Sequence, residues 1–91
     1  MRILANDGID KIAADELAAR GFEIDRGHYA KEELKAKIKD FDVLIVRSAT
    51  KVDQEIIDAA AQGDLRLIVR AGVGIDNIDA AYAQMRGIEV R

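Results

Sequence analysis

Val43-Leu44-Ile45-Val46-Arg47-Ser48-Ala49-Thr50 runs through four aliphatic residues and turns polar at the next position. An apolar run this short, with no alternation, reads as a strand covered on both faces, the hallmark of a parallel sheet between layers of helix. Leu67-Ile68-Val69 reads the same way, and Ile3-Leu4-Ala5 supplies a third inner strand. Phe22-Glu23-Ile24-Asp25 and Ile88-Glu89-Val90 instead alternate apolar with charged residues, which suits edge positions, where a charge stays in water. Each interval between strands carries helical periodicity, so the chain alternates β and α. Right-handed crossovers then make 2-1-3-4-5 the economical order, a flavodoxin-like, doubly wound sheet of five parallel strands.

The four intervals predict four helices. The first sets Ile9, Ile12, Ala13 and Leu17 on one face and closes at Gly21; the second spaces Ala30, Leu34 and Ile38 four apart, with Lys31, Glu32, Glu33, Lys35, Lys37 and Lys39 as a solvated surface. The third starts at Asp53 as N-cap, buries Ile56, Ile57 and Ala60 and stops at Gly63. The fourth starts near Asp79, buries Tyr82 and Met85 and ends at Gly87. After the fifth strand the sequence stops at Arg91, so residues 1–91 are expected to form one truncated domain that lacks its final helix. Such a domain exposes an apolar strip or covers it with another copy, and a homodimer through the open end of the sheet is expected.

Composition narrows the function. The 91 residues are 49% hydrophobic and 34% charged, the balance of a folded globular domain. Fourteen basic against seventeen acidic residues, with no basic block, argue against nucleic acid as a partner. There is no cysteine and only one histidine, His28, which removes thiolate chemistry and Cys-based or His-rich metal sites. No segment approaches the roughly 20 apolar residues of a membrane span and no signal peptide opens the chain. No membrane partner and a cytoplasmic location are the expectation.

Open parallel sheets bind ligands beyond the carboxyl ends of their strands. There the sequence places Asn6-Asp7-Gly8, Arg47-Ser48-Ala49-Thr50 and Arg70-Ala71-Gly72-Val73-Gly74. Arginines after two adjacent strands, about 5 Å apart, predict an anion site, because guanidinium groups hold carboxylates and phosphates through paired hydrogen bonds. Ser48 and Thr50 add donors; the alternative is that each arginine pairs with a local acid such as Asp7 or Asp76. Gly72 and Gly74 let bare backbone N–H groups face a ligand. The segment is not a dinucleotide fingerprint, since Asn77 replaces the third glycine and it follows the fourth strand. Asp76, Asn77 and Asp79 read as turn and cap residues, and His28 as a loop residue. A receiver-type phosphoacceptor needs an aspartate where Arg47 stands, a flavodoxin needs a Ser/Thr-rich loop where Asn6-Asp7-Gly8 stands, and no Ser or Thr has a credible histidine base.

Val43 to Val52, together with Leu67 to Asp79 one helix later, closely resembles the amino-terminal region of the D-3-phosphoglycerate dehydrogenases, within the D-2-hydroxyacid dehydrogenase family, and the resemblance covers the whole chain. It implies a flavodoxin-like substrate-binding domain in which Arg47, Ser48 and Arg70 help hold the substrate's phosphate or carboxylate. Ala71, Gly72, Val73 and Gly74 resemble the family's substrate-carboxylate loop, with Asn77 stabilising that loop. The parent is expected to be an NAD-dependent dehydrogenase of serine biosynthesis that oxidises 3-phospho-D-glycerate to 3-phosphooxypyruvate. The family's nucleotide-binding domain, with its GxGxxG and its catalytic arginine, glutamate and histidine, does not occur in this sequence. The chain alone is therefore expected to hold no cofactor and no catalytic residue, and to bind a small phosphorylated or carboxylate substrate weakly and without turnover. The competing expectation is an excised or designed minimal fold with structural or self-associating behaviour only.

Overall fold

The computed structural model describes residues 1–71 and 77–91. Strands β1 (Arg2–Ala5), β2 (Glu23–Asp25), β3 (Val43–Val46), β4 (Leu67–Arg70) and β5 (Glu89–Val90) alternate with helices α1 (Lys11–Ala19), α2 (Lys31–Lys37), α3 (Gln54–Ala61) and α4 (Ala80–Met85). A 3-10 turn, Ile38–Asp40, extends α2. All strand pairs are parallel and the sheet order is β2-β1-β3-β4-β5, as the apolar patterns predict. Ile3 pairs with Val43, which pairs with Leu67, so one register line crosses the inner strands.

The pleat divides the core in two. Leu4, Leu44, Val46 and Ile68 point to one face, where they meet Leu34 and Ile38 from α2 and its extension, Ile56, Ile57 and Ala60 from α3, and Ala83 from α4. Each fully buried Leu or Ile contributes about 1.5–3 kcal/mol, so this face dominates stability. Ile3, Ala5, Val43 and Ile45 point to the other face, against Ile9, Leu17 and Phe22. The caps behave as the sequence predicts: the Asp53 carboxylate accepts from Ile56 N–H at 3.1 Å and that of Asp79 from Tyr82 N–H at 3.2 Å.

Three burial expectations need correction. Ile12 is 77% exposed and Met85 72% exposed. The inward positions are Ala14 and Ala83, each two residues away and hence about 200° round the helix. Small residues, not the large ones, lie against the sheet there. Strand β4 is not covered on both faces either: Ile68 is buried, but Leu67 and Val69 are half-buried, because α1 packs over β2.

Candidate functional site

The carboxyl ends of β1 and β3 are joined by a polar network around two buried residues. Asn6, wholly buried, donates through Nδ2 to the Tyr29 carbonyl at 3.1 Å and to Thr50 Oγ1 at 2.8 Å, and accepts the Tyr29 N–H on Oδ1 at 2.8 Å. Thr50 Oγ1 in turn donates its hydroxyl hydrogen bond to Asp7 Oδ1 at 2.5 Å. The Asp7 side chain is 3% exposed, and its Oδ2 accepts the main-chain N–H of Arg47 at 2.7 Å and of Thr50 at 3.0 Å. Asn6 to Thr50 to Asp7 is thus a chain of hydrogen bonds ending on a charge, each polarising the next.

Asn77 grips the same loop by its carbonyls. Its Nδ2 donates to Arg47 O at 2.6 Å and Thr50 O at 2.7 Å. Main-chain bonds from Val52 N–H to Asn77 O (2.7 Å) and from Asp79 N–H to Val52 O (3.0 Å) fasten the two segments together. Asn77 Oδ1 is buried and has no hydrogen-bond partner among the described residues. The loop 47–50 is therefore held by its N–H groups through Asp7 and by its C=O groups through Asn77, while Arg47 and Ser48 project into solvent. The cap-or-turn reading of Asn77 captures only part of this role.

Arg70 is also exposed, but it pairs in register with Val46, one position short of Arg47. The two arginines are thus staggered neighbours on the rim. Ala71, half-buried, donates its N–H to Val46 O at 2.8 Å. Gly72, Val73 and Gly74, and with them Asp76, lie outside the described residues. The alternative pairing of Asp7 with an arginine takes another form: the carboxylate engages Arg47 through its backbone N–H. His28 is a loop residue, as expected, and its Nδ1 lies 2.7 Å from the Asn6 carbonyl and 3.6 Å from Asp7 Oδ1.

The loop that carries His28 has its own anchor. Asp25 accepts the Gly27 N–H on Oδ1 at 2.8 Å and the Tyr29 hydroxyl on Oδ2 at 2.6 Å. The Tyr29 hydroxyl, then the Gly27 N–H, lower the Asp25 pKa against the opposing effect of burial, with smaller help from the charges of Lys37 and Arg2. A depressed carboxylate stabilises the fold above its unfolded-state pKa, and that contribution is lost as pH falls through the lower folded value. Asp25→Asn is expected to flatten the acid limb of the stability curve below about pH 4, read by denaturant melts. An unchanged limb counts against the anchor.

Among the described residues no group of three or more His, Asp or Glu side chains could hold a metal ion, and no helix is long and apolar enough to cross a membrane.

Residues 3–91 match the family model of the D-isomer specific 2-hydroxyacid dehydrogenase catalytic domain. The chain belongs to this family. Among curated relatives, D-3-phosphoglycerate dehydrogenase of Methanocaldococcus jannaschii is 46% identical over 91 residues, covering 99% of this chain and 17% of the relative. Hydroxypyruvate reductase of Thermotoga maritima is 44% identical over 90 residues, covering 98% and 29%. The crystal structure of NAD+-bound 3-phosphoglycerate dehydrogenase of Entamoeba histolytica superposes with a TM-score of 0.80 at 35% identity, over 99% of this chain and 32% of that one. The chain thus spans less than a third of the length of these curated relatives. Sequence reading places Asn6 and Asp7 at the strand ends but misses that they hold the 47–50 loop; two consecutive polar residues directly after an inner strand are the signal that could have suggested it.

Proposed function

We propose that this chain is the substrate-holding lobe of an NAD-dependent dehydrogenase that oxidises 3-phospho-D-glycerate to 3-phosphooxypyruvate, and that it has no turnover by itself. The observation that carries this reading is the loop 47–50, immobilised from below by Asp7 and from the side by Asn77 so that Arg47 and Ser48 stand exposed beside Arg70. A rigid loop loses little entropy when its side chains take up an anion. Hydride transfer needs a nicotinamide against the substrate carbon and an acid–base group for the hydroxyl proton. This lobe contributes recognition and orientation. One-sided enclosure limits affinity to on the order of millimolar.

Amide NMR titration with 3-phosphoglycerate, D-glycerate and inorganic phosphate tests the reading. Saturable shifts centred on Arg47, Ser48 and the segment from Arg70 are expected, and Arg70→Ala is expected to weaken binding roughly tenfold or more, the worth of a charged hydrogen bond. No response of the unaltered chain at tens of millimolar (about ten times the expected constant) overturns it.

A further inference from the structure

The chain's one histidine is neither core nor idle. Its side chain is 58% exposed, yet Nδ1 is fixed 2.7 Å from the Asn6 carbonyl oxygen. A carbonyl can only accept, so Nδ1 carries the hydrogen and Nε2 is left for another partner. His28 lines a hollow of about 440 Å³ together with Lys31, Leu34, Thr50, Lys51 and Asp53. Lys31 is already shared between Asp53 at 3.0 Å and Glu55 at 3.4 Å, whereas Lys51 stands exposed. Ala49 and Thr50 form one wall, so the hollow backs onto the loop that presents Arg47 and Ser48.

We propose that His28 and Lys51 form a subsite for the phosphate end of the substrate, with His28 Nε2–H donating to a phosphate oxygen while Nδ1–H stays on the Asn6 carbonyl. This rests on the reading of the chain as a lobe that holds phosphorylated three-carbon acids, and it names the residues that separate them from unphosphorylated ones. The subsite needs the doubly protonated ring. An imidazole that donates from both nitrogens is the low-pH form of any histidine, so discrimination is expected to grow toward lower pH.

His28→Asn is the informative variant, because an asparagine amide can keep the bond to the Asn6 carbonyl while removing Nε2. At about pH 6, inside the ordinary histidine range, the variant is expected to bind 3-phosphoglycerate roughly five- to tenfold more weakly, as one charged hydrogen bond is lost. D-Glycerate binding is expected to stay within about twofold. The ratio of wild type to variant should shrink by about pH 8, which separates the ring's proton from the phosphate's own ionisation. In the unaltered chain, long-range proton–nitrogen NMR of the ring is expected to show Nδ1 protonated, and an Nε2 resonance that moves with 3-phosphoglycerate and not with D-glycerate. If the wild type responds at Arg47 and Arg70 but His28→Asn matches it, or Nε2 does not move, the subsite is overturned and the lobe assignment stands. If the wild type responds to none of the ligands, both fall.

Discussion

Replacing Gly63 with alanine is expected to destabilise the chain by about 3 kcal/mol or more, at the upper end of overpacking substitutions. A Cβ at this position would overlap the Lys39 carbonyl oxygen and sit 2.6 Å from Lys39 Cα and Cβ. These atoms belong to the 3-10 turn Ile38–Asp40, whose Ile38 is wholly buried, and the same carbonyl accepts the Asp64 N–H at 3.1 Å. No rotamer change relieves the overlap; the backbone must shift and drag Ile38 with it. In a chain of this size 1 kcal/mol moves the melting temperature by roughly 4–8 °C, so a fall of more than about 10 °C is expected. Gly21 separates this effect from glycine conformation: its φ is +92° and nothing lies within 4 Å of its Cβ position, so Gly21→Ala is strained only locally and is expected to cost about 1 kcal/mol. Equal costs at the two positions would show that close approach is not what Gly63 supplies.

Asp7→Ala carries the second large expected effect, on both stability and binding. Its carboxylate satisfies the Arg47 N–H, the Thr50 N–H and the Thr50 hydroxyl in a site with almost no solvent. Each buried donor left without a partner costs about 1–3 kcal/mol, so a total loss of about 3–5 kcal/mol is expected once the loop relaxes. Asp7→Asn should fall between, since an amide keeps the shape but sets its own N–H groups against donors. Faster amide exchange at Arg47 and Thr50, and loss of 3-phosphoglycerate binding with both arginines intact, are the accompanying signs. A melting curve within about 1 kcal/mol of wild type would remove Asp7 from its place as the pivot.

Sheet order was legible because it follows from where charges are tolerated: unbroken aliphatic runs at β3 and β4, alternation at β2 and β5. Asp53 and Asp79 were legible as caps because that interaction spans only three residues. The errors at Ile12 and Met85 share one cause, the assumption that the largest apolar residue of a short helix faces the sheet. Where a helix lies close to the strands, alanine fits and isoleucine does not. Leu67 and Val69 carry a pattern that means full burial only where helices lie over both faces. Arg47, Ser48 and Arg70 were placed on the rim because their strands end there. Asp7 was not legible as the pivot because two of its partners are backbone N–H groups forty and more residues away, which leave no side-chain signature. Gly63 read as a helix stop, but its reason for being glycine lies in Lys39, again remote in sequence.

The parallel register has a kinetic consequence. Ile3 meets Val43 only after two crossovers have been closed, and Val43 meets Leu67 after one; no hairpin among the described strands offers a cheaper start. Contacts of this kind must be prepaid in loop-closure entropy, which places such topologies on the slower side of small-domain folding. Asn6, Asp7, Thr50 and Asn77 come from three different crossovers, so their network cannot assemble before β1 and β3 are paired. The anion-holding rim is therefore a late product of folding. A refolding experiment that follows ligand binding beside total fluorescence or ellipticity should see recognition arrive last.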